Sequence, residues 1–475
     1  MSSMSCVNIA NTLILLYACT LFLMYIAIGI LSIFELRHYR VKNRNVNYQN
    51  MLSFYELPTV SVIAPAYNEQ MTIIENIKCL ISLQYPDYEA IIVNDGSKDD
   101  TLKIIIEYFD LVKVERAYEL KIPCAQIRGV YKSTNPSYNH LMVIDKENGG
   151  KADALNAGIN VSRNELFLAI DVDSIIEPDA ILKMVKPFLD DREHIVIASG
   201  GVIRVANSCT VTDGKISNVV FPHNLWAKFQ VLEYFRAFTL GRMAWSRLNG
   251  LLIISGAFGL FDRQRVLKVG GYDTSTVGED LELVVRLRRY MHEVEKKKYR
   301  VAFIPDPLCW TEVPEKIKIL SRQRNRWTRG AIDTILKHKK MMFNPHYGLI
   351  GMLSFPNWVL FEWLAPIIQA VGLIYTVVVI IFGWVNLHVM FSLILFVLTF
   401  SVMFSLFAIF FEAFMFHKYH GMGYVIQSLL ILLLEMIFYQ PLNMYFALTG
   451  NYDFFFRKKK KGWGTMTRTG FSKKK

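Results

Sequence analysis

Long uncharged apolar blocks stand at both ends of this chain, and they restrict what the middle can be. Residues 8–34 carry no charged residue, and further apolar blocks run over 357–384, 387–414 and 421–448. A helix needs about 20 apolar residues to cross the hydrocarbon core, so each block is long enough to span. The 475 residues are 52% hydrophobic yet still 20% charged, which suits membrane segments joined to a water-soluble domain. Glu362, Glu412 and Glu435 fall in the C-terminal blocks. A carboxylate is costly in lipid, so each should face protein or water.

Arg37, Arg40, Lys42 and Arg44 follow the first block, which puts the N-terminus outside and the next domain in the cytoplasm. No Lys or Arg precedes that block and no small-residue cleavage site follows it, so it reads as an anchor rather than a cleaved leader. The net charge is +12, but nine Lys and Arg residues lie within 457–475 with no acid, and removing them leaves 12 − 9 = +3. A basic run just beyond an apolar block favours anionic membrane lipids over nucleic acid, and serves equally as a solvated topogenic tail. Three spans after an inside domain would leave that tail outside. A cytoplasmic tail needs either an extra span over 346–363 or one block that turns back. Cys6, Cys19, Cys79, Cys124, Cys209 and Cys309 form neither Cys-x-x-Cys nor a zinc pattern, so a reducing compartment is expected.

The middle reads as strand and helix in alternation. Val60–Ala64 is a short apolar run closed by Pro65-Ala66-Tyr67-Asn68-Glu69, with a helix to about Leu83. Ala90–Val93 is a second such run, closed by Asn94-Asp95-Gly96-Ser97 and a helix start. This is the βαβ pattern of a parallel sheet, whose ligands sit at the carboxyl ends of the strands. Residues 111–140 are less legible, with a loop over 133–139. Strands are expected at 141–144, 195–200, 253–259 and 301–304, the last ending before Pro305, and an aromatic-rich amphipathic helix at 224–247.

Chemistry-bearing groups recur at the strand ends. Leu166–Ile170 runs straight into Asp171-Val172-Asp173, and a carboxylate pair there can hold a hard divalent cation or merely cap a turn. Gly149-Gly150-Lys151 opens a helix, where amides and an ammonium suit phosphate oxygens; the Walker spacing is absent. Gly278-Glu279-Asp280 opens another helix, where a carboxylate is also a plain cap. Gln323, Arg326 and Trp327 share roughly one face of a basic helix from Pro314 to about Lys340, which can lie on a membrane surface.

In this order, Pro65–Glu69, Asn94–Ser97, Gly150-Lys151-Ala152, Asp171-Val172-Asp173, Gly278-Glu279-Asp280 and Gln323-Arg324-Asn325-Arg326-Trp327 resemble the processive family-2 membrane glycosyltransferases. These are the synthases of poly-N-acetylglucosamine, hyaluronan, chitin and cellulose. The resemblance covers about 58–340 and is nearest to the poly-β-1,6-N-acetylglucosamine branch. Many of these synthases carry Thr where this chain has Gly278, which touches subfamily and acceptor rather than chemistry. The resemblance implies an α/β GT-A-type domain with a mostly parallel sheet plus α-helical transmembrane segments. It implies a UDP-sugar donor, a growing β-linked polysaccharide as acceptor, inversion, and Mg2+ or Mn2+ at Asp171 and Asp173. Tyr67, Glu69 and Asp95 would hold uridine, Lys151 the diphosphate, and Asp280 would be the base. Glu279, Gln323, Arg326 and Trp327 would serve the diphosphate and acceptor end.

The expected organisation is an anchor at 1–36, a basic linker at 37–57, the catalytic domain at 58–313, an interface helix at 314–345, spans at 346–449 and a basic cytoplasmic tail at 450–475. Two other functions fit parts of this pattern. A single-addition enzyme acting on a polyprenyl phosphate would generally lack Gln-x-x-Arg-Trp. A transporter or nucleotide-sensing scaffold would not need Asp280.

Overall fold

A computed structural model of the chain describes residues 3–457, apart from 45, 47, 55, 213, 385, 417, 418 and 420–422. Of the tail expected at 450–475, residues 458–475 lie outside the described residues, and with them the expectation of lipid-headgroup binding there; the last apolar helix runs on to Phe455.

Twelve strands are present among the described residues: β1 (Val60–Ala66), β2 (Tyr88–Asp95), β3 (Leu111–Val114), β4 (Ile127–Ser133), β5 (Leu141–Lys146), β6 (Leu166–Ile170), β7 (Ile175–Ile176), β8 (Ile195–Val205), β9 (Thr210–Thr212), β10 (Lys215–Asn218), β11 (Phe258–Asp262) and β12 (Tyr299–Thr311). Ten of them form one sheet in the order β3-β4-β5-β2-β1-β6-β11-β8-β12-β7. The central strands β5, β2, β1 and β6 run parallel. Their side chains are nearly all buried, because helices cover both faces.

The GT-A type of α/β domain holds, but the sheet is mixed rather than mostly parallel. β11 runs antiparallel to both β6 and β8, and β3, β4 and β7 also pair antiparallel. Two strand assignments need correction. The strand expected at 253–259 forms only over Phe258–Asp262, because the backbone of Gly256 bonds to side chains instead of to a ladder. β12 does not stop before Pro305 but continues to Thr311. Register shifts between Ile304 and Pro307, and between Pro307 and Cys309, absorb prolines that have no N–H to give. The segment 111–140 supplies the edge pair β3–β4 and a turn of 3-10 helix at Pro136–Tyr138.

The stretch expected as one amphipathic helix is helical from Leu225 to Arg247 with a π-helical segment over Phe235–Arg242. It is buried on several sides. Its basic residues reach the spans: Arg236 pairs with Glu435, while Arg204 of β8 pairs with Glu412 at 2.7 Å. Both glutamates thus face protein, as expected of carboxylates in apolar helices. Glu362 stays exposed, close to a bend.

Among the described residues three helices are long and apolar enough to cross a membrane: Val7–Asn43, Met390–Met415 and Gly423–Phe455. The block at 357–384 is different. Helices Ile350–Trp363 and Ala365–Ile381 meet at a 44° bend, as in a broken span or a re-entrant turn. The basic helix, Ile317–Lys337, does not lie free on a surface. Leu320, Arg324, Arg329, Gly330, Ile332, Thr334 and Ile335 are buried. It docks on the end of the last apolar helix, where Asn325 donates to Asp453 at 3.0 Å and Gly450 meets Thr328.

Candidate active site

Parallel pairing in the registers Ala66↔Asn94, Asp95↔Lys146 and Ile63↔Ala169 brings four strand ends to one edge of the sheet. Tyr67, Asp95, Lys146 and Asp171 all emerge there. The β1 and β2 exits are knitted together: Asn68 N–H donates to Ser97 Oγ at 3.1 Å, and Asn68 Oδ1 accepts from Lys98 N–H at 2.8 Å. Tyr67 is 39% exposed and free to meet a ligand. Glu69 is half-buried, and its carboxylate accepts from the Thr72 hydroxyl at 3.3 Å.

Lys151 begins the helix Lys151–Val161, after Gly150 at φ +90°, a backbone region that favours glycine. Lys151 Nζ pairs with Asp171 and donates to the Gly256 carbonyl at 2.9 Å. Asp280 meets the same residue from the other side. Its Oδ2 accepts from Gly256 N–H at 2.9 Å, and its Oδ1 from Leu281 N–H at 2.8 Å. A Cβ on Gly256 would lie 3.0 Å from Asp280 Oδ2, so the absence of a side chain is what lets the carboxylate approach.

The charges act on one another. Burial pulls the Lys151 ammonium down, but Asp171, Glu279 and Asp280 outweigh it and hold it above its ordinary range. Burial pushes the Glu279 carboxyl up, the Asp280 charge adds to this, and Lys151 and Arg326 oppose it. Lys151, Asp171, Glu279, Asp280 and Arg326 therefore share one field.

Asp171 is partly exposed, whereas Asp173 is only 5% exposed. Asp173 raises the Cys309 thiol together with Asp171, after burial as the main cause. Among the described residues no group of three His, Cys, Asp or Glu forms a ready metal centre. Two hard carboxylates nevertheless suit a Mg2+ or Mn2+ ion that completes its shell with diphosphate oxygens and water.

Asp95, expected at the nucleoside, is also bonded within the domain. Its Oδ1 accepts from Lys146 Nζ at 2.6 Å and from Gly149 N–H at 3.0 Å. Its Oδ2 accepts from Gly150 N–H at 2.8 Å and from Asn148 Nδ2 at 3.2 Å. A carboxylate offers about four acceptor sites, and here they are filled from within.

On the helix Ile317–Lys337, Trp327 is 42% exposed, with the Arg324 guanidinium 4.2 Å from its ring centre. Arg324 is buried and held by Glu233 at 2.7 Å and Tyr439 at 3.1 Å. Gln323 Oε1 is buried with no hydrogen-bond partner among the described residues. Gly278 and Gly330 press backbone to backbone, which brings the start of the Glu279–Tyr290 helix against this one.

Three residues escaped the sequence reading. Lys146 is fully buried, and its one signal is a lysine closing an apolar strand. Gly256 is legible only as a small residue. Arg242 gives no signal at all. Its guanidinium lies 3.8 Å from the centre of the Phe238 ring, and its Nη1 has no hydrogen-bond partner among the described residues. Burial lowers its pKa to about 10 against the pull of Asp280.

Comparison with known proteins agrees with this geometry. The model described as "Glycosyl transferase family 2" matches residues 61–122, and "Glycosyltransferase like family 2" matches 124–330. A poly-β-1,6-N-acetyl-D-glucosamine synthase of Staphylococcus epidermidis is 28% identical over 278 residues, covering 58% of this chain and 56% of that protein. One from Staphylococcus aureus (strain COL) is 27% identical over 304 residues, covering 64% and 60%. The matched stretch thus spans little more than half the length of these relatives. A mannosyltransferase structure from Pyrobaculum calidifontis, in complex with GDP-Man and Mn2+, superposes with a TM-score of 0.51 at 16% identity, over 94% of this chain and 99% of that one, which is a likeness of fold. The two family models run almost without a break from β1 to the helix of Trp327, across the residues gathered at the sheet edge, and the chain belongs to glycosyltransferase family 2.

Proposed function

We propose that this protein transfers N-acetylglucosamine from a UDP-sugar to the end of a growing β-linked polysaccharide, with inversion, and that its apolar helices carry the product outward. One observation supports this most. The two faces of a displacement, a cation for the leaving diphosphate and a base for the incoming hydroxyl, are tied to the N–H and C=O of a single residue, Gly256. Asp280 takes the proton of the acceptor hydroxyl as its oxygen bonds to the sugar's anomeric carbon. The bond from that carbon to the diphosphate breaks on the opposite face, and Lys151 stabilises the charge that leaves with UDP. A divalent cation held by Asp171 and Asp173 would supply further charge neutralisation at the same diphosphate. Tyr67 borders the nucleoside, and Trp327 offers an aromatic face to the acceptor sugar. The named relatives favour N-acetylglucosamine and a polymer product. The basic run after the first apolar helix favours a catalytic domain on the cytoplasmic side of the cell membrane.

The test is purified protein in lipid with each of several UDP-sugars, reading UDP release, product size and linkage, with and without chelator. The expected result is cation-dependent UDP release and a long product from UDP-N-acetylglucosamine. A product of one added sugar would overturn the polymerase reading, and no UDP release from any donor would overturn the whole.

A further inference from the structure

One buried, paired charge of the catalytic domain is not used by the transfer chemistry. Lys146 closes β5 with its side chain wholly inaccessible. Its ammonium donates to Asp95 Oδ1 at 2.6 Å and to the Glu147 carbonyl at 2.5 Å, and pairs with Asp153 Oδ1 at 2.6 Å. A buried ammonium is tolerated only when its partners are this complete.

Its two carboxylates grip the turn that precedes Lys151. Asp95 holds the N–H groups of Gly149 and Gly150. Asp153 stands in the first turn of the Lys151–Val161 helix and takes the Ala125 N–H through both oxygens, at 3.1 and 3.0 Å. Gly149 has no room to vary, because a Cβ there would run into the Asp153 carboxylate. Lys151 is the next residue after the clamped turn, and its ammonium must reach both Asp171 and the Gly256 carbonyl.

We infer that Lys146 is a positioning residue of the donor site: bridging Asp95 and Asp153, it fixes the Gly149-Gly150 turn and so sets where Lys151 stands. The inference rests on the donor site proposed above. Lys146 touches no reacting atom and acts through Lys151.

The experiment compares Lys146→Met, Gly149→Ala, Asp95→Asn and the Lys146→Met/Asp95→Asn pair with wild type in lipid. It reads the UDP dissociation constant, donor KM, kcat and melting temperature. Lys146→Met is expected to weaken UDP binding and raise donor KM by about 10-fold or more, with a smaller change in kcat, as for a misplaced binding group. Gly149→Ala displaces the same turn without removing a charge, so it should shift UDP binding in the same direction and remains informative if Lys146→Met fails to fold. The double variant should bind UDP no worse than Lys146→Met alone, because both residues act on one turn. A fall in melting temperature with UDP binding unchanged in Lys146→Met and Gly149→Ala would overturn the inference. So would full additivity in the double variant, which would show that the two residues do not act on one turn. Wild-type protein that binds no UDP would instead overturn the underlying reading of the site.

Discussion

Replacing Gly278 by Ala should uncouple the candidate base from its site while leaving the fold intact. Gly278 caps the helix Glu279–Tyr290, two residues before Asp280. A Cβ built on it lies 2.8 Å from Gly330 Cα and 3.0 Å from Gly330 C. Both atoms are backbone within a buried helix, so no side chain can swing away. Reaching 3.4 Å, the near edge of ordinary contact, requires the two helices to part by about 0.6 Å (3.4 − 2.8). Asp280 travels with its helix start. Its 2.9 Å bond to Gly256 N–H then stretches to about 3.5 Å if the shift falls along it, at the limit of a hydrogen bond. Overpacking of this kind costs about 1–3 kcal/mol of stability. Misplacing a catalytic group by up to an ångström costs as much as about 10²-fold in rate. The expected result is a kcat lower by about 10–100-fold, with UDP affinity within a few-fold of wild type. UDP release at saturating donor measures the first, calorimetry the second, and a melting curve verifies folding. Gly330→Ala should behave alike, since its Cβ would lie 2.7 Å from Gly278 Cα, and the double variant should be less than additive. Folded Gly278→Ala protein that turns over within threefold of wild type would refute the reasoning.

Asp280→Asn keeps a capping side chain but removes the proton acceptor, so normal expression with a rate loss of about 10²-fold or more is expected, and near-normal turnover in a coupled UDP-release assay would move the base elsewhere. Burial lifts Glu279 from its ordinary 4.5 to about 7, so the folded state holds that proton longer than the unfolded chain and loses stability as pH rises through this window. Glu279→Gln should therefore melt higher than wild type at pH 8, with the difference shrinking by pH 5; equal melting at both values would show that the carboxyl is not strained. A reporter fused after Arg44 should read cytoplasmic. One fused after Lys475 should read cytoplasmic if the helices meeting at the 44° bend turn back, and external if they cross.

Part of this molecule is written in local sequence. The runs Val60–Ala64, Ala90–Val93 and Leu166–Ile170 are short, apolar and closed by polar residues, and each became a central parallel strand, because a strand buried on both faces has little other composition open to it. The apolar blocks were legible for an equally local reason, since length and hydropathy alone decide whether a helix can span. Lys151, Asp171, Glu279 and Asp280 were legible as strand and helix ends, and they converge because parallel strands deliver their ends to one edge.

What sequence could not determine is who bonds to whom. Lys146 and Asp95 are 51 positions apart, Lys151 and Gly256 are 105 apart, and Gly256 and Asp280 are 24 apart. The resemblance places Asp95 at uridine, and only the packed strands show the hydrogen bonds that its oxygens also accept within the domain. Pro305 read as a strand end because it lacks a donor, yet the neighbouring strand carries β12 past it by shifting register. Composition and periodicity act over a few residues, so the sequence by itself determined the central strands, the apolar blocks and the chemical kinds of group at the strand and helix ends. The occupancy of each lone pair and the fit of Gly278 on Gly330 were decided only when distant segments packed, because hydrogen bonds and steric contacts act over about 3 Å of space, whatever their separation along the chain.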